Sequence, residues 1–293
     1  MQHPKYEVWP YNKVLPEHVQ PLIDRYQGGE SARKICLDFP FAEDVALKVL
    51  RDFNIPIKTR KQIRQSMGFS INENAFANTK EPECGYFYGW LLTDGNIARR
   101  QYGHQVSIEL NIKDIKILEA LSNYVGNGCS VKTRDRYDKR TGNTYYMCSY
   151  NFSAELIISR LLSLGLETKK SMREECPKEF LFDRNFWRGV LEGDGYLSKD
   201  GQATNMQICG SETLCNQWFD YCKSVVPEMH MRVAPQNKSK SDIFFSTYSG
   251  RFDECKLVLD SLYLGVPEHL RLERKYNLYV ERYYNGIDPC RTS

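Results

Sequence analysis

Two aspartates in this chain close matching phrases. Asp94 ends the apolar run of "YFYGWLLTDGN" (Tyr86 to Asn96), and Asp194 ends that of "FWRGVLEGDGY" (Phe186 to Tyr196). Gly89, Leu91, Asp94 and Gly95 recur at a constant offset as Gly189, Leu191, Asp194 and Gly195. If each phrase is a helix, each aspartate sits at its C-terminal end, where the helix dipole disfavours an anion by about 0.3–1 kcal/mol. Packing the two helices together would also bring the two carboxylates near each other. Like charges so placed repel unless a proton or a cation lies between them. Paired carboxylates with hard oxygen donors suit Mg²⁺. A divalent metal held there can activate a water and stabilise a leaving oxygen, as phosphodiester hydrolysis requires.

The elements that would hold this pair are legible around it. Phe87, Trp90, Leu91 and Leu92 in the first phrase, and Phe186, Trp187, Val190 and Leu191 in the second, make helices that are apolar nearly all round and therefore buried. Gly89 and Gly189 remove side chains where two backbones could approach. Gly95 and Gly195 suit the left-handed position that closes a helix. After each Asp-Gly the order is hairpin, helix, hairpin, helix. The first copy continues through "HQVSIELNI", "KDIKILEALSNYVG", the hairpin around Gly142-Asn143 and "AELIISRLLSLGL". The second continues through "TNMQICG", "SETLCNQWFDYCKSVV", "MHMRVAPQNKSKSDIFFSTYS" and "RFDECKLVLDSLYLG". A repeat of this length is a duplicated domain.

The hairpins alternate with period two, so each predicts one polar face. Gln105, Ser107 and Glu109 oppose Val106, Ile108 and Leu110. Lys132, Arg134 and Arg136 share a face opposite Val131 and Thr133, with Lys139 and Arg140 flanking the turn. Asn205 and Gln207 form a polar set in the second copy, and His230 and Arg232 oppose Met229, Met231 and Val233. Faces mixing Arg, Lys, Gln, Asn and Ser suit the base edges and phosphates of a DNA major groove.

Ahead of the repeat, "PEHVQPLIDRYQGG", "SARKICLDF" with Ser31 as N-cap, and "FAEDVALKVLRDFN" read as three helices, two of them joined by a tight turn. That pattern fits a helix-turn-helix. The stretch that follows carries Lys58, Arg60, Lys61 and Arg64 with no acid before Glu73, a basic linker suited to a DNA backbone or minor groove. The expected domains are 1–55, 56–80, 81–180 and 181–293.

Composition limits the alternatives. The 293 residues are 41% hydrophobic and 26% charged, enough for a packed core, and the net charge of +3 permits a polyanion partner without demanding one. No apolar run reaches the roughly 18 residues of a membrane span, and the N-terminus has no apolar signal core, so an intracellular protein with no membrane partner is expected. The ten scattered cysteines then read as reduced thiols, and five histidines without H-x-x-x-H spacing argue against zinc.

The two phrases and the alternation around them resemble the signature motifs of a single-chain LAGLIDADG homing endonuclease, over about Glu81 to Tyr284. The glycines and the final Asp-Gly match. The consensus first acid is Leu92 in copy one and Glu192 in copy two. The resemblance implies an α+β fold of duplicated αββαββα half-domains, forming a pseudo-two-fold saddle on double-stranded DNA. It implies a monomer with internal pseudo-symmetry, Mg²⁺-dependent cleavage, and Asp94 and Asp194 as metal ligands. A lysine near the active site in each half falls on Lys169 or Lys170 in "LETKKS" and on Lys275 in "LRLERKYN". The first eighty residues lie outside the signature, but a small all-α helix-turn-helix domain resembles the DNA-binding appendages of mobile-element nucleases. A non-cleaving binder on the same scaffold, an intron RNA maturase or a transcription regulator, is the alternative.

Overall fold

The computed structural model describes residues 14–59, 62, 70–101, 103–126, 130–167, 173–199, 205–237 and 243–290. The chain divides into two units, Met1–Ser70 and Ile71–Ser293.

The first unit holds three helices, α1 (Pro16–Gln27), α2 (Ala32–Ile35) and α3 (Glu43–Asp52). Leu22, Ile35, Ala46, Val49 and Leu50 are fully buried between them. The hydroxyl of Ser31 accepts from the Lys34 amide at 3.2 Å, the expected cap on α2. The tight turn lies between α1 and α2, where Gly29 takes a φ of 105°. Segment 36–42 joins α2 to α3, so α2 is a single turn followed by a longer connection. Lys58 closes the unit: its ammonium donates to the Tyr26 carbonyl at 2.9 Å and its amide to the Tyr26 hydroxyl at 2.8 Å.

The second unit is α+β and duplicated. Its first half runs α4 (Pro82–Thr93), β1 (Gly95–Arg100), β2 (Gly103–Asn111), α5 (Ile115–Val125), β3 (Lys132–Asp138), β4 (Asn143–Phe152) and α6 (Glu155–Ser163). Its second half runs α7 (Arg184–Asp194), β5 (Gly195–Leu197), β6 (Met206–Gly210), α8 (Glu212–Val225), β7 (Arg232–Asn237), β8 (Ile243–Tyr248) and α9 (Phe252–Tyr263). Both halves are αββαββα. A further helix, α10 (Glu273–Tyr284), follows the second half.

Each half contributes a four-stranded antiparallel sheet, ordered β1-β2-β4-β3 and β5-β6-β8-β7. The repeat extends into strand register. Gly95 pairs with Ile108 and Gly195 with Ile208; Asn96 pairs with Ser107 and Tyr196 with Gln207. Helix α5 packs on β2 and β4, and α8 packs on β6, β7 and β8. The sheets therefore bury one face, with Val106, Ile108, Cys148 and Tyr150 in the first and Met206 and Ile208 in the second. Among the described residues no helix is long and apolar enough to cross a membrane, and the described cysteines are free thiols.

Helices α4 and α7 pack together at the centre, as their all-round apolarity requires. A Cβ on Gly89 would meet the Phe186 carbonyl at 2.5 Å and the Val190 amide at 3.0 Å; one on Gly189 would overlap the Tyr86 carbonyl oxygen. Glycine is needed here because backbone meets backbone. The expected left-handed turn at Gly95 and Gly195 is corrected. Gly195 is extended, with φ −89° and ψ 162°, and both residues begin strands. Their constraint is steric. A Cβ on Gly95 would lie 2.5 Å from the Leu91 carbonyl, and one on Gly195 would overlap the Leu191 carbonyl. The chain leaves each helix straight into a strand, too close to the last turn for any side chain.

Candidate active site and nucleic-acid interface

Asp94 is the C-cap of α4, and Asp194 is the last residue of α7. Both side chains are exposed at that end of the helix pair. The Thr93 hydroxyl donates to Asp94 Oδ2 at 3.1 Å and to the Trp90 carbonyl at 3.1 Å, fixing the acid against its own helix. A Cβ added at Gly193 would lie 2.9 Å from Asp94 Oδ2. The first carboxylate thus rests against the residue that precedes the second.

Lys275, on α10, ties the two acids together electrostatically. The residue is 4% exposed, and its ammonium donates to the carbonyls of Leu191 at 2.7 Å and Gly195 at 2.6 Å. These carbonyls flank Asp194, so the lysine caps the end of α7. Burial pushes its pKa down to about 8, and nearby Arg274 adds to this, while Glu192, Asp94 and Asp194 pull the other way. Lys275 is thus enclosed by the chain, with both acids near enough to favour its charge.

Behind the aspartates lies a buried polar cluster. Glu192, at the position of the second motif's first acid, is fully buried and accepts from the Tyr86 hydroxyl at 2.6 Å. Burial holds its carboxyl above the usual range. Arg188 stacks 4.9 Å over the Tyr86 ring and donates to the carbonyls of Leu270 at 2.8 Å and Leu262 at 3.0 Å. Glu192 is therefore held in the interior, whereas the two aspartates are exposed. The matching residue of the first copy, Leu92, is buried as well.

The donor set fits a hard divalent cation. Both carboxylates are exposed, with Asp94 Oδ2 lying against Gly193, the neighbour of Asp194, and among the described residues there is no group of three or more His, Cys, Asp or Glu side chains able to hold a metal ion. Mg²⁺ suits such a set, because it keeps several waters and takes one or two carboxylates together with substrate phosphates.

The uncovered face of the first sheet is a continuous polar surface whose rows are fixed by register. One row is Asn96, Ser107 and Asn151; the next is Glu109, Ser149 and Lys132; then come Asn111, Met147 and Arg134, and finally Tyr145 with Arg136. Gln105 lies at its edge, where Arg100 donates to it at 3.2 Å. Arg134 and Arg136 both reach Glu109, the latter at 3.4 Å. Lys139 and Arg140 are exposed in the turn. The opposing side of β3 is exposed as well. Thr133, Asp135 and Tyr137 are exposed too, because this hairpin outruns its covering helix.

The second sheet needs two corrections. Asn205 is 4% exposed; it donates to the Gly250 carbonyl at 2.6 Å and accepts from Arg282, so it belongs to the interior. His230 precedes β7 instead of lying on it, and pairs with Glu254 at 2.8 Å. Gln207 and Arg232 remain on the uncovered face, in register with Tyr196 and Tyr248. Lys58 is turned to a structural bond with Tyr26. Arg60, Lys61, Arg64, Lys169 and Lys170 lie outside the described residues.

Sequence reasoning missed helix α10 and the inward turn of Asn205. The apolar spacing of Leu272, Tyr276, Tyr279, Val280 and Tyr283 was a readable helical signal for the first. The second had none, since Arg282 is remote in sequence.

No protein-family model and no curated protein matches this sequence. Among solved structures, the chain is similar to the homing endonuclease I-WcaI bound to its DNA recognition sequence, at 8% identity over 82% of this chain and 94% of that one, with a TM-score of 0.44. It is similar to full-length DUF199/WhiA from Thermatoga maritima, at 13% identity over 75% of this chain and 68% of that one, with a TM-score of 0.41. It is also similar to I-DmoI in complex with DNA and Ca, at 13% identity over 69% of this chain and 99% of that one, with a TM-score of 0.36. At such identities and scores the likenesses carry no weight of their own. The fold rests on the element order, sheet order and register of this chain.

Proposed function

We propose that this protein is a site-specific endonuclease of the LAGLIDADG type, hydrolysing phosphodiester bonds of double-stranded DNA at Asp94 and Asp194 with a divalent metal. The observation that carries the reading is the seating of the Asp94 carboxylate against Gly193, at the joint end of two glycine-packed helices. Mg²⁺ bound by the two carboxylates would supply an activated water and charge stabilisation at the leaving oxygen. Asp94 and Asp194 hold the cation. Lys275 fixes the end of α7 and places a positive charge near both acids. The polar sheet faces bind the duplex: Gln105, Ser107, Glu109, Lys132, Arg134 and Arg136 from the first half, Gln207 and Arg232 from the second, and Lys139 and Arg140 at the turn.

The first unit and the basic stretch Arg60, Lys61 and Arg64 serve as an accessory DNA-binding module. Removing residues 1–69 should shorten the protected footprint while sparing cleavage; an unchanged footprint would leave that unit a purely structural role. A linked module adds avidity only when both parts engage one duplex.

One observation favours a non-cleaving binder, an intron RNA maturase or a transcription regulator: the buried Leu92 leaves the first motif without its first acid. Incubation of the protein with a random-insert plasmid library, with Mg²⁺ or with EDTA, separates the readings. Linear products that appear only with Mg²⁺ support the endonuclease. Retention of duplex without any cut in Mg²⁺ or Mn²⁺ would favour the binder.

A further inference from the structure

We propose that Glu109 is a specificity-determining residue for one half of the DNA site, acting by keeping Arg134 and Arg136 from binding phosphates indiscriminately. The inference rests on the DNA-reading role proposed for the first sheet and assigns that face its selectivity.

Sheet order supplies the first observation. Strand β4 lies between β2 and β3, yet Arg134 and Arg136 of β3 both donate to Glu109 of β2. The two guanidiniums lean across Met147 and Tyr145, their partners in register, toward the middle of the sheet. The arginines stay 60% and 54% exposed, and the carboxylate 27%. One anion thus sits between two accessible cations at the centre of the polar face.

Charge explains the consequence. Two free arginines would neutralise any nearby phosphates, whatever the sequence. With Glu109 between them, each arginine must give up a charge-assisted bond to engage DNA. The O6/N7 edge of guanine replaces that bond with two acceptors in one plane. The carboxylate itself accepts from cytosine N4 and repels phosphate. A matched edge is compensated and an unmatched backbone contact is not.

The duplication supplies an internal comparison. Glu109, Ser149 and Lys132 form one row of the first sheet, and Cys209, Ser246 and Ala234 form the matching row of the second. Two residues further along, Arg134 corresponds to Gln236. Among the described residues these two rows of the second sheet carry no charged side chain, so the proposal is confined to the half-site under the first sheet.

The test uses the full-length protein in metal-free buffer. A preferred site is first selected from a random duplex library with the wild type. Affinities of wild type and Glu109→Gln for the selected and a scrambled duplex are then measured by fluorescence anisotropy at two salt concentrations. The pair is exposed, so its loss should cost the fold about 0–1 kcal/mol, and melting curves should nearly coincide. Glu109→Gln should bind the scrambled duplex about tenfold tighter, with a salt slope steeper by about one unit. The preference for the selected over the scrambled duplex should fall about tenfold, and reselection should show relaxed bases in one half-site only. Equal change on both duplexes, or relaxation spread over both half-sites, would overturn the proposal. A wild type that binds but is unaltered by Glu109→Gln removes this inference alone. A wild type that selects no site removes the DNA-reading role and this inference with it.

Discussion

Lys275 donates to the carbonyl oxygen of Gly195 at 2.6 Å, which ties the last described helix of the chain to the residue that follows Asp194. The same ammonium donates to the Leu191 carbonyl, which also accepts from the Gly195 amide.

Replacing that lysine should therefore cost stability and expose its titration. Lys275→Met removes this donor from both carbonyls, a loss of about 1–3 kcal/mol in chemical denaturation. The wild-type pKa of about 8 lies below the ordinary 10.5. Between those values the unfolded chain binds the extra proton, so this group's contribution to stability rises with pH across that window, from its lowest level at about 8 and below. The difference between wild type and Lys275→Met, measured at pH 8 and pH 10, isolates it from the buried tyrosines and cysteines, which titrate the opposite way. Asp194→Asn removes a charge that favours the ammonium and should move the window lower. A pH-independent difference would show that Lys275 is not enclosed as described.

Gly189→Ala tests the helix contact. The new methyl would meet the Gly89 Cα and the Trp90 amide at 3.2 Å and overlap the Tyr86 carbonyl, all of them backbone. Neither helix can yield by a rotamer change, so a loss of about 1–3 kcal/mol or more is expected. At about 2–4 °C per kcal/mol the melting temperature should fall visibly. Gly142→Ala is the contrast: φ is 71° but nothing lies within 4 Å, so only backbone strain is added, about 1 kcal/mol. A Gly189→Ala protein as stable as wild type would refute the close approach.

Much of this arrangement is legible in the sequence because the repeat doubles each signal. A single apolar run ending in Asp-Gly is ambiguous; two copies at a constant offset predict paired helices and a duplicated sheet. Period-two alternation placed Gln105, Ser107 and Glu109 correctly, since α5 covers one face of their strand. It failed where tertiary cover changes along a strand: β3 runs past its helix and exposes both faces. Asn205 is drawn inward by Arg282, a contact no local pattern encodes. Gly95 and Gly195 were assigned to the right helix ends for the wrong reason, because a helix that passes straight into a strand excludes a side chain without needing positive φ. The role of Lys275 depended on α10, whose apolar spacing is interrupted by Arg274, Arg282 and Glu281.

The sheet contacts divide by position. Arg134 lies mid-strand on the uncovered face, whereas Lys139 and Arg140 flank the turn. Arg134→Ala should cost about 1–3 kcal/mol on the preferred site and relax one base pair, while Lys139→Ala and Arg140→Ala should weaken all duplexes alike and each lower the salt slope by about one unit. Binding-site selection on the three variants at two salt concentrations reads this out. Uniform weakening for Arg134→Ala, with altered base preference for the turn variants, would reverse the docking direction.

The pairing of the two acids is tested most directly by Asp94→Asn and Asp194→Asn, assayed in parallel for duplex binding and for plasmid linearisation in Mg²⁺. Each substitution keeps the size of the side chain and removes one of the two charges that would hold the cation. Binding should persist, because affinity comes from phosphate and base contacts on the sheets. Linearisation should be lost in both variants, although the wild type cuts under the same conditions. Full double-strand cleavage by either variant would contradict the assignment of Asp94 and Asp194 as the joint metal-binding pair.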